Sequence, residues 1–497
     1  MGYPYIKSPV KFTFAIIITR GTTAQPEEAF SASCIAPAAL DEVHAQIDAP
    51  PVLLGLVRVL FPLAFSVITL NWKDYSRRRR IAVRESGHSG MATLSDRVAA
   101  LHISPIRRVA GLLAEANKKK EMISFGGGAP SLPPPKEVSD EIAKRISQDP
   151  QATCVYTGTR GYLELRKLIA EDWTKHQDAV YEPENEVIIT DGATEGIFNA
   201  FLSIFNKNDE VIVTDPTYLG YLEAAQLAGA RVTRLPVSVE EGYQPSLEVL
   251  KSLITKRTKA VILLSPDNPT GRIVRSDFAK GLLDLAVDHD FWIINDATYR
   301  DIVYGKNIQP KLTSLAQAHE RVISVGSFSK EAAIPGLRLG YALGPRGVID
   351  AMEKVKQYTS LAPNTLSQHA MVRFLSEGVK ERYLHDLVIP TYVKRRDFME
   401  KSIKKHLSDA KTVRPDGAFY FFVDMRRYLK SMERNEEEFC NQLLFRKGVV
   451  AIPGSFFGEK GAGHVRMTFV SEPEERIELG IKRIGEYVFS FAFSVAT

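Results

Sequence analysis

From residue 186 to residue 330 the chain repeats one pattern: a short apolar run, a polar turn, then a helical stretch. Five runs read as strands: 186–190 (EVIIT), 210–218 (EVIVTDPTY), 259–271 (KAVILLSPDNPTG), 291–299 (FWIINDATY) and 321–330 (RVISVGSFSK). Their apolar parts are β-branched and nearly continuous rather than alternating, so both faces of each strand are buried. Helical stretches such as 196–205 and 275–288 separate them. Strand and helix in alternation predict an α/β fold around a mainly parallel sheet. All five runs end in polar turns containing Gly or Pro, and ligands of such sheets bind beyond the carboxyl ends of the strands. After about residue 344 the pattern changes to long helices (348–358, 365–376). A smaller α+β unit follows, with strands in 417–425 and 464–469. Neither internal repeats nor low-complexity segments occur.

Residues 1–90 break this pattern. They hold an apolar run at 12–18, an Ala-rich stretch, and nineteen largely apolar residues at 52–70 followed by Arg77, Arg78, Arg79 and Arg80. Three readings stand. The segment is a poorly ordered extension ahead of a natural start at Met91, a membrane anchor, or a targeting segment. Arg58 and Pro62 fall inside the 52–70 span, and a central arginine costs about 2.5–3.5 kcal/mol on insertion scales. The extension is therefore favoured over membrane association.

Composition narrows the class of partner. Hydrophobic residues are 44% and charged residues 25%, an ordinary globular balance. Net charge is +5, and ten Lys/Arg against seven Asp/Glu in residues 1–90 account for +3 of it. The remaining 407 residues carry only +2, too little to argue for a nucleic-acid partner. Cys34, Cys154 and Cys440 have no metal or disulfide spacing, so no metal is expected and a reducing, cytoplasmic compartment is the natural reading.

The chemistry concentrates in the turns. In SFSKEAAIPGLRLG (327–340) a lysine follows a strand, two serines precede it, and an arginine comes eight residues later. Pyridoxal 5′-phosphate (PLP) needs a nucleophilic amine for its aldehyde and donors for its phosphate. Lys330 supplies the amine as a Schiff base; Ser327, Ser329 and Arg338 hold the phosphate. Asp296, in NDATYRD, can pair with the pyridinium nitrogen, and Tyr299 can reach the 3-hydroxyl of the ring. Asn268, in SPDNPTGR, can reach the same hydroxyl. Ala193 and Thr194, in DGATEG, open a helix whose free N–H groups suit a phosphate. Tyr218, in DPTYLGY, can stack on the ring. Arg466, in HVRMTF, suits a substrate α-carboxylate, and the Gly128 N–H, in FGGGAP, lies near the same group. Each feature alone has an ordinary explanation: a surface lysine, an Asp cap, a turn dipeptide, a core tyrosine, a solvent-facing arginine.

In this order the motifs resemble those of fold-type I PLP enzymes of aminotransferase class I/II, over roughly residues 100–488. The Gly-rich opening and SPDNPTGR look most like the aminoadipate/kynurenine/aromatic branch. The resemblance implies a homodimer, with Tyr156 (VYTGTRGYLELR) reaching the phosphate across the interface. It also implies a large PLP domain with a seven-stranded-type sheet and a smaller α+β domain. The expected division is 91–149 for an N-terminal arm and part of the small domain, 150–345 for the large domain, and 346–497 for the C-terminal small domain.

The implied reaction is ping-pong transamination between an L-amino acid and a 2-oxo acid. The same lysine, aspartate and arginine also serve β-lyases and cyclopropane-forming synthases. A PLP-sensing transcription regulator is a more distant alternative, because residues 1–90 show no helix-turn-helix pattern. No confident equivalent of the second arginine of dicarboxylate-specific members is present; Lys356, in roughly that region, matches poorly. This disfavours strictly dicarboxylic substrates, and the aromatic neighbourhood favours large apolar or aromatic ones.

Overall fold

Runs of Val, Ile and Leu with both faces buried form the central sheet of the computed structural model, which describes residues 94–101, 122–305 and 309–492. The apolar span at 52–70, Cys34 and the rest of residues 1–93 lie outside the described residues. Contacts gather Leu94–Thr497 into one unit.

In chain order the strands begin with β1 (Ile123–Ser124). Seven strands of one sheet follow: β2 (Val187–Thr190), β3 (Glu210–Asp215), β4 (Arg231–Pro236), β5 (Thr258–Leu264), β6 (Trp292–Asp296), β7 (Val322–Ser327) and β8 (Gly340–Leu343). Their spatial order is β2-β8-β7-β6-β5-β3-β4. From β4 to β7 every pairing is parallel. β8 runs antiparallel to both β2 and β7, so the sheet is mixed. The sequence pattern locates five of the seven. It misses β4, an edge strand whose RVTRLP is mostly part-exposed and polar. It also misses β8, only four residues long and continuous with the Arg338 motif.

The second sheet orders β12 (Ile452–Pro453), β13 (His464–Thr468), β10 (Tyr420–Asp424) and β9 (Lys411–Thr412), all antiparallel. Two long helices, Ile389–His406 and Glu474–Ala492, pack against each other beside it. β1 pairs in parallel with β11 (Val449–Val450) and so stitches residues 122–128 to the C-terminal part of the chain. Hence the Gly-rich turn after β1 meets Arg466 on β13. Among the described residues no helix is long and apolar enough to cross a membrane.

Candidate active site

β6 ends on Asp296 and β7 on Ser327, neighbours in a parallel array, so both project their following turns at the same sheet edge. Lys330 lies in the single helical turn Phe328–Glu331 after β7. Its Nζ donates to the Gly128 carbonyl at 2.5 Å and sits 5.9 Å from the Tyr299 ring centre and 6.0 Å from that of Phe419. Burial lowers the amine to about 8, and the positive charges of Arg466 and Arg338 push in the same direction. Gly128 therefore offers its carbonyl to the lysine, whereas the sequence reading assigned its N–H to a carboxylate. A Cβ at Gly128 would come within 2.4 Å of the Tyr420 hydroxyl, so only glycine fits there.

Asp296 is buried and its carboxylate has no cationic partner among the described residues. Its Oδ2 accepts from the Tyr221 hydroxyl (2.6 Å) and its Oδ1 from the Thr298 N–H (3.0 Å). Burial raises its carboxyl above the usual range. No helix follows it, so it is not an N-cap; the Thr298 contact is an Asx turn. Tyr218 meets Tyr221 edge to face at 5.3 Å. Burial and the nearby Asp296 raise the Tyr218 phenol, while Arg338 and Arg466 oppose the rise from either end of the site.

The turn after β2 leads into α1 (Ala193–Ile204). Its cap residue is Gly192, which provides no side chain to satisfy the first N–H groups. Ala193 and Thr194 hold the open end. Arg338 sits over this turn in a left-handed backbone conformation (φ 51°), donating to the Asp191 and Pro335 carbonyls at 3.3 Å each. A Cβ at Gly192 would lie 2.5 Å from its Nη2, so glycine is what admits the guanidinium. Ser327 accepts from the Ser329 N–H (3.3 Å), and the buried Ser329 hydroxyl has no partner. An uncapped helix start, a guanidinium and an unsatisfied buried hydroxyl form a cradle for a phosphate dianion. These residues fit the phosphate end of PLP.

Arg466 lies at the other end. It is 2% exposed, with Nη1 donating to Asn268 Oδ1 (3.0 Å) and Nη2 to the Gly126 carbonyl (2.8 Å). Its guanidinium lies 4.3 Å over the Tyr420 ring and 4.9 Å over Phe457, and its Nε has no partner. No acidic side chain pairs with it among the described residues. Asn268 is thus held by Arg466 through its Oδ1, which leaves its Nδ2 amide to donate elsewhere, and the Tyr299 hydroxyl lies 2.8 Å from that of Tyr420.

Of the residues singled out from sequence, the single chain leaves Tyr156 at the surface, 84% exposed, and Thr194 and Arg338 are exposed as well. Lys356 is buried completely, 2.8 Å from Glu195 and 2.7 Å from the Ser360 hydroxyl. Glu195 in turn accepts from the Asp191 N–H at 2.6 Å, so this lysine braces the Gly192 turn from behind and faces no substrate. Sequence reasoning missed Tyr221 and Tyr420. Tyr221 stood three residues after Tyr218 in the same motif, on one face of the coming helical turn. Tyr420 lay inside the apolar strand GAFYFFVDM, where a tyrosine gives no separate signal.

Residues 120–484 match the family model described as aminotransferase class I and II. An aspartate aminotransferase of Thermotoga maritima is 32% identical over 390 residues, 78% of this chain and 97% of that protein. An aromatic-amino-acid aminotransferase of Thermococcus litoralis is 29% identical over 77% of this chain and 95% of its own. Among solved structures, aspartate aminotransferase from Thermus thermophilus with maleate superposes with a TM-score of 0.74 at 30% identity, covering 80% of this chain and all of that one.

Proposed function

This chain belongs to the aminotransferase class I and II family, and on that premise we propose that it moves an amino group between an L-amino acid and a 2-oxo acid by a ping-pong course, with PLP on Lys330. The observation that carries the reading is the setting of Lys330 between two arginines without acidic partners, Arg338 and Arg466. Two unneutralised cations flanking one amine suit a ligand with a phosphate at one end and a carboxylate at the other.

PLP, when bound, supplies an aldehyde for the lysine and an electron-withdrawing ring for charge that develops at the substrate Cα. Around it, Ala193, Thr194, Ser327, Ser329 and Arg338 hold the phosphate, and Tyr156 of a second copy completes that end. Asp296 faces the ring nitrogen, where a proton on that nitrogen restores its ionised form; Tyr221 fixes the carboxylate's direction. Tyr218 covers one face of the ring. The Asn268 Nδ2 amide, with Oδ1 kept on Arg466, and the Tyr299 hydroxyl serve the 3-hydroxyl. Arg466 takes the α-carboxylate by a two-pronged contact, next to the turn bearing Gly128. With an amine lowered to about 8, a useful fraction of Lys330 is neutral near pH 7 and can accept the Cα proton.

Tyr218, Tyr420 and Phe457 line the approach to Arg466, and Lys356 is committed to Glu195. Both features support large apolar or aromatic side chains over strictly dicarboxylic ones. The test is a panel of L-amino acids mixed with holoenzyme, following loss of the cofactor's visible absorbance. Phenylalanine, tyrosine or leucine should react at least about tenfold faster than aspartate, an energy gap of about 1.4 kcal/mol. Faster aspartate would overturn the side-chain preference alone. Ammonia and pyruvate released from serine or cysteine, without amino transfer to any oxo acid, would overturn transamination.

A further inference from the structure

Tyr420 sits between the two ends of the site, and the reaction above gives it no task of its own. It stands on β10, and Arg466 on the neighbouring strand β13. Tyr420 pairs with Thr468, so Arg466 is its diagonal neighbour on the same face of that sheet. The Arg466 guanidinium lies 4.3 Å over the Tyr420 ring. The Tyr420 hydroxyl lies 2.8 Å from that of Tyr299, with the two rings edge to face and 6.1 Å apart. Among the described residues that hydroxyl has no other hydrogen-bond partner. The Gly128 turn packs against it: a Cβ there would lie 2.4 Å from the Tyr420 hydroxyl, and the carbonyl of the same glycine accepts from Lys330. One buried side chain thus adjoins the arginine, the tyrosine and the turn from which the site is built.

Proton counting sets the direction of the bond between the two phenols. Each has a single proton to give. Asn268 has its Oδ1 held by Arg466, so it can offer only an N–H to the ring oxygen of PLP. With Tyr299 giving its proton to the same oxygen, only Tyr420 can donate between the two phenols. A donor behind a donor strengthens it, by about 10–30% per bond. The chain then runs from Tyr420 to Tyr299 to the ring oxygen, and its first member lies against the guanidinium that takes the carboxylate.

We infer that Tyr420 is a positioning residue with two separable tasks: its hydroxyl donates to Tyr299 and makes Tyr299 a better donor to the cofactor's ring oxygen, while its ring holds Arg466 for the substrate carboxylate. The inference rests on the reading that PLP sits on Lys330 with its ring oxygen at Tyr299.

The test uses the holoenzyme and two readouts. One is the pH midpoint of the bound cofactor's visible absorbance. A donor to the ring oxygen stabilises its anion, so the neighbouring nitrogen releases its proton more easily and the midpoint is lowered. The other is the Kd of 3-phenylpropionate, a carboxylate without an amine, read from the same absorbance. Besides Lys330 and Arg466, the titratable groups around the two phenols are Tyr218 and Tyr304, and every variant keeps all four. Tyr420→Phe removes the hydroxyl and keeps the ring. Its midpoint should rise by about 0.3–0.5 pH unit, roughly a twofold to threefold change, with the Kd unchanged within about twofold. In a Tyr299→Phe background the same substitution should move the midpoint no further. Tyr420→Leu removes the ring as well and should weaken the Kd by about threefold to tenfold. If Tyr420→Leu does not fold, Tyr420→Met takes its place. A midpoint that is fixed or lowered in Tyr420→Phe, or that rises equally with and without Tyr299, overturns the donor chain. A Kd unchanged when the ring is removed, or weakened as much in Tyr420→Phe, overturns the division of tasks. A Tyr299→Phe midpoint equal to that of wild type overturns the reading of the site instead.

Discussion

Lys330→Met in the cofactor-free protein should change stability with opposite signs at neutral and alkaline pH. The wild-type amine titrates at about 8 in the fold, against an ordinary value of 10.5. Below about pH 8 both folded and unfolded chains hold the proton, and the fold bears the full cost of a desolvated ammonium. Between about 8 and 10.5 the unfolded chain holds a proton that the fold has released, so stability rises with pH. Above that window the cost is gone. A shift of this size corresponds to about 3 kcal/mol, reduced to roughly 2 kcal/mol because part of the residue reaches solvent. Methionine removes the cost but also the hydrogen bond to the Gly128 carbonyl, worth about 1 kcal/mol. The variant should therefore be more stable than wild type by about 1 kcal/mol at pH 7, and less stable by about 1 kcal/mol near pH 10.5. Urea unfolding of both proteins at the two pH values measures the crossover. A difference independent of pH would refute the assignment of a depressed amine to Lys330.

Arg466→Lys loses the planar fork and should raise KM for the amino acid by about tenfold to a hundredfold, read from the substrate dependence of the half-reaction. Asp296→Asn should keep the cofactor, measured by absorbance after gel filtration, while slowing Cα proton removal by about a hundredfold or more in stopped flow. Lys356→Met leaves the part-buried Glu195 carboxylate with the Asp191 N–H and the Ser360 hydroxyl alone; it should lower stability by about 1–3 kcal/mol and weaken cofactor retention, seen by calorimetry and equilibrium dialysis. A chain starting at Met91 should bind PLP and elute as an active dimer on gel filtration, because every side chain assigned to the site lies between Gly126 and Arg466.

What could be read from sequence follows from where the information sits. Lys330, Asp296, Asn268 and Tyr218 each stand at or just beyond the end of a buried strand, so a strand assignment alone aims their turns at one sheet edge. Their relation needs no long-range pairing beyond the parallel order of β3, β5, β6 and β7. Arg466 was harder: its direction depends on β10–β13 pairing and on β1 bringing Gly126 across more than three hundred residues. Tyr420 became visible only when that pairing placed it against Tyr299. Lys356 stood in the sequence as a poor match for a substrate-facing cation, and the fold turns it fully inward onto Glu195. Nothing local in the sequence shows that it turns that way.

The same contrast separates the buried arginines. Arg300 and Arg466 are both removed from water, and a desolvated guanidinium costs several kcal/mol unless something answers it. Arg300 is answered within the chain, by Asp301 and Asp172. Arg466 is answered only by a carbonyl, an amide oxygen and two aromatic faces, which soften the cost without neutralising the charge. Each keeps one unsatisfied nitrogen, Nη1 in Arg300 and Nε in Arg466, so the difference between them is the missing counter-charge. A fold that answers one buried cation with two acids and leaves the other without any has kept the second for an anion from outside. Because the aromatic rings already hold the guanidinium in place, a carboxylate arriving at Arg466 meets a donor that needs little reorganisation, and the neighbouring Lys330 loses part of the repulsion that lowers its amine. Substrate binding should therefore raise the proton affinity of Lys330 just when it must take the proton from Cα, which couples recognition of the carboxylate to the strength of the base.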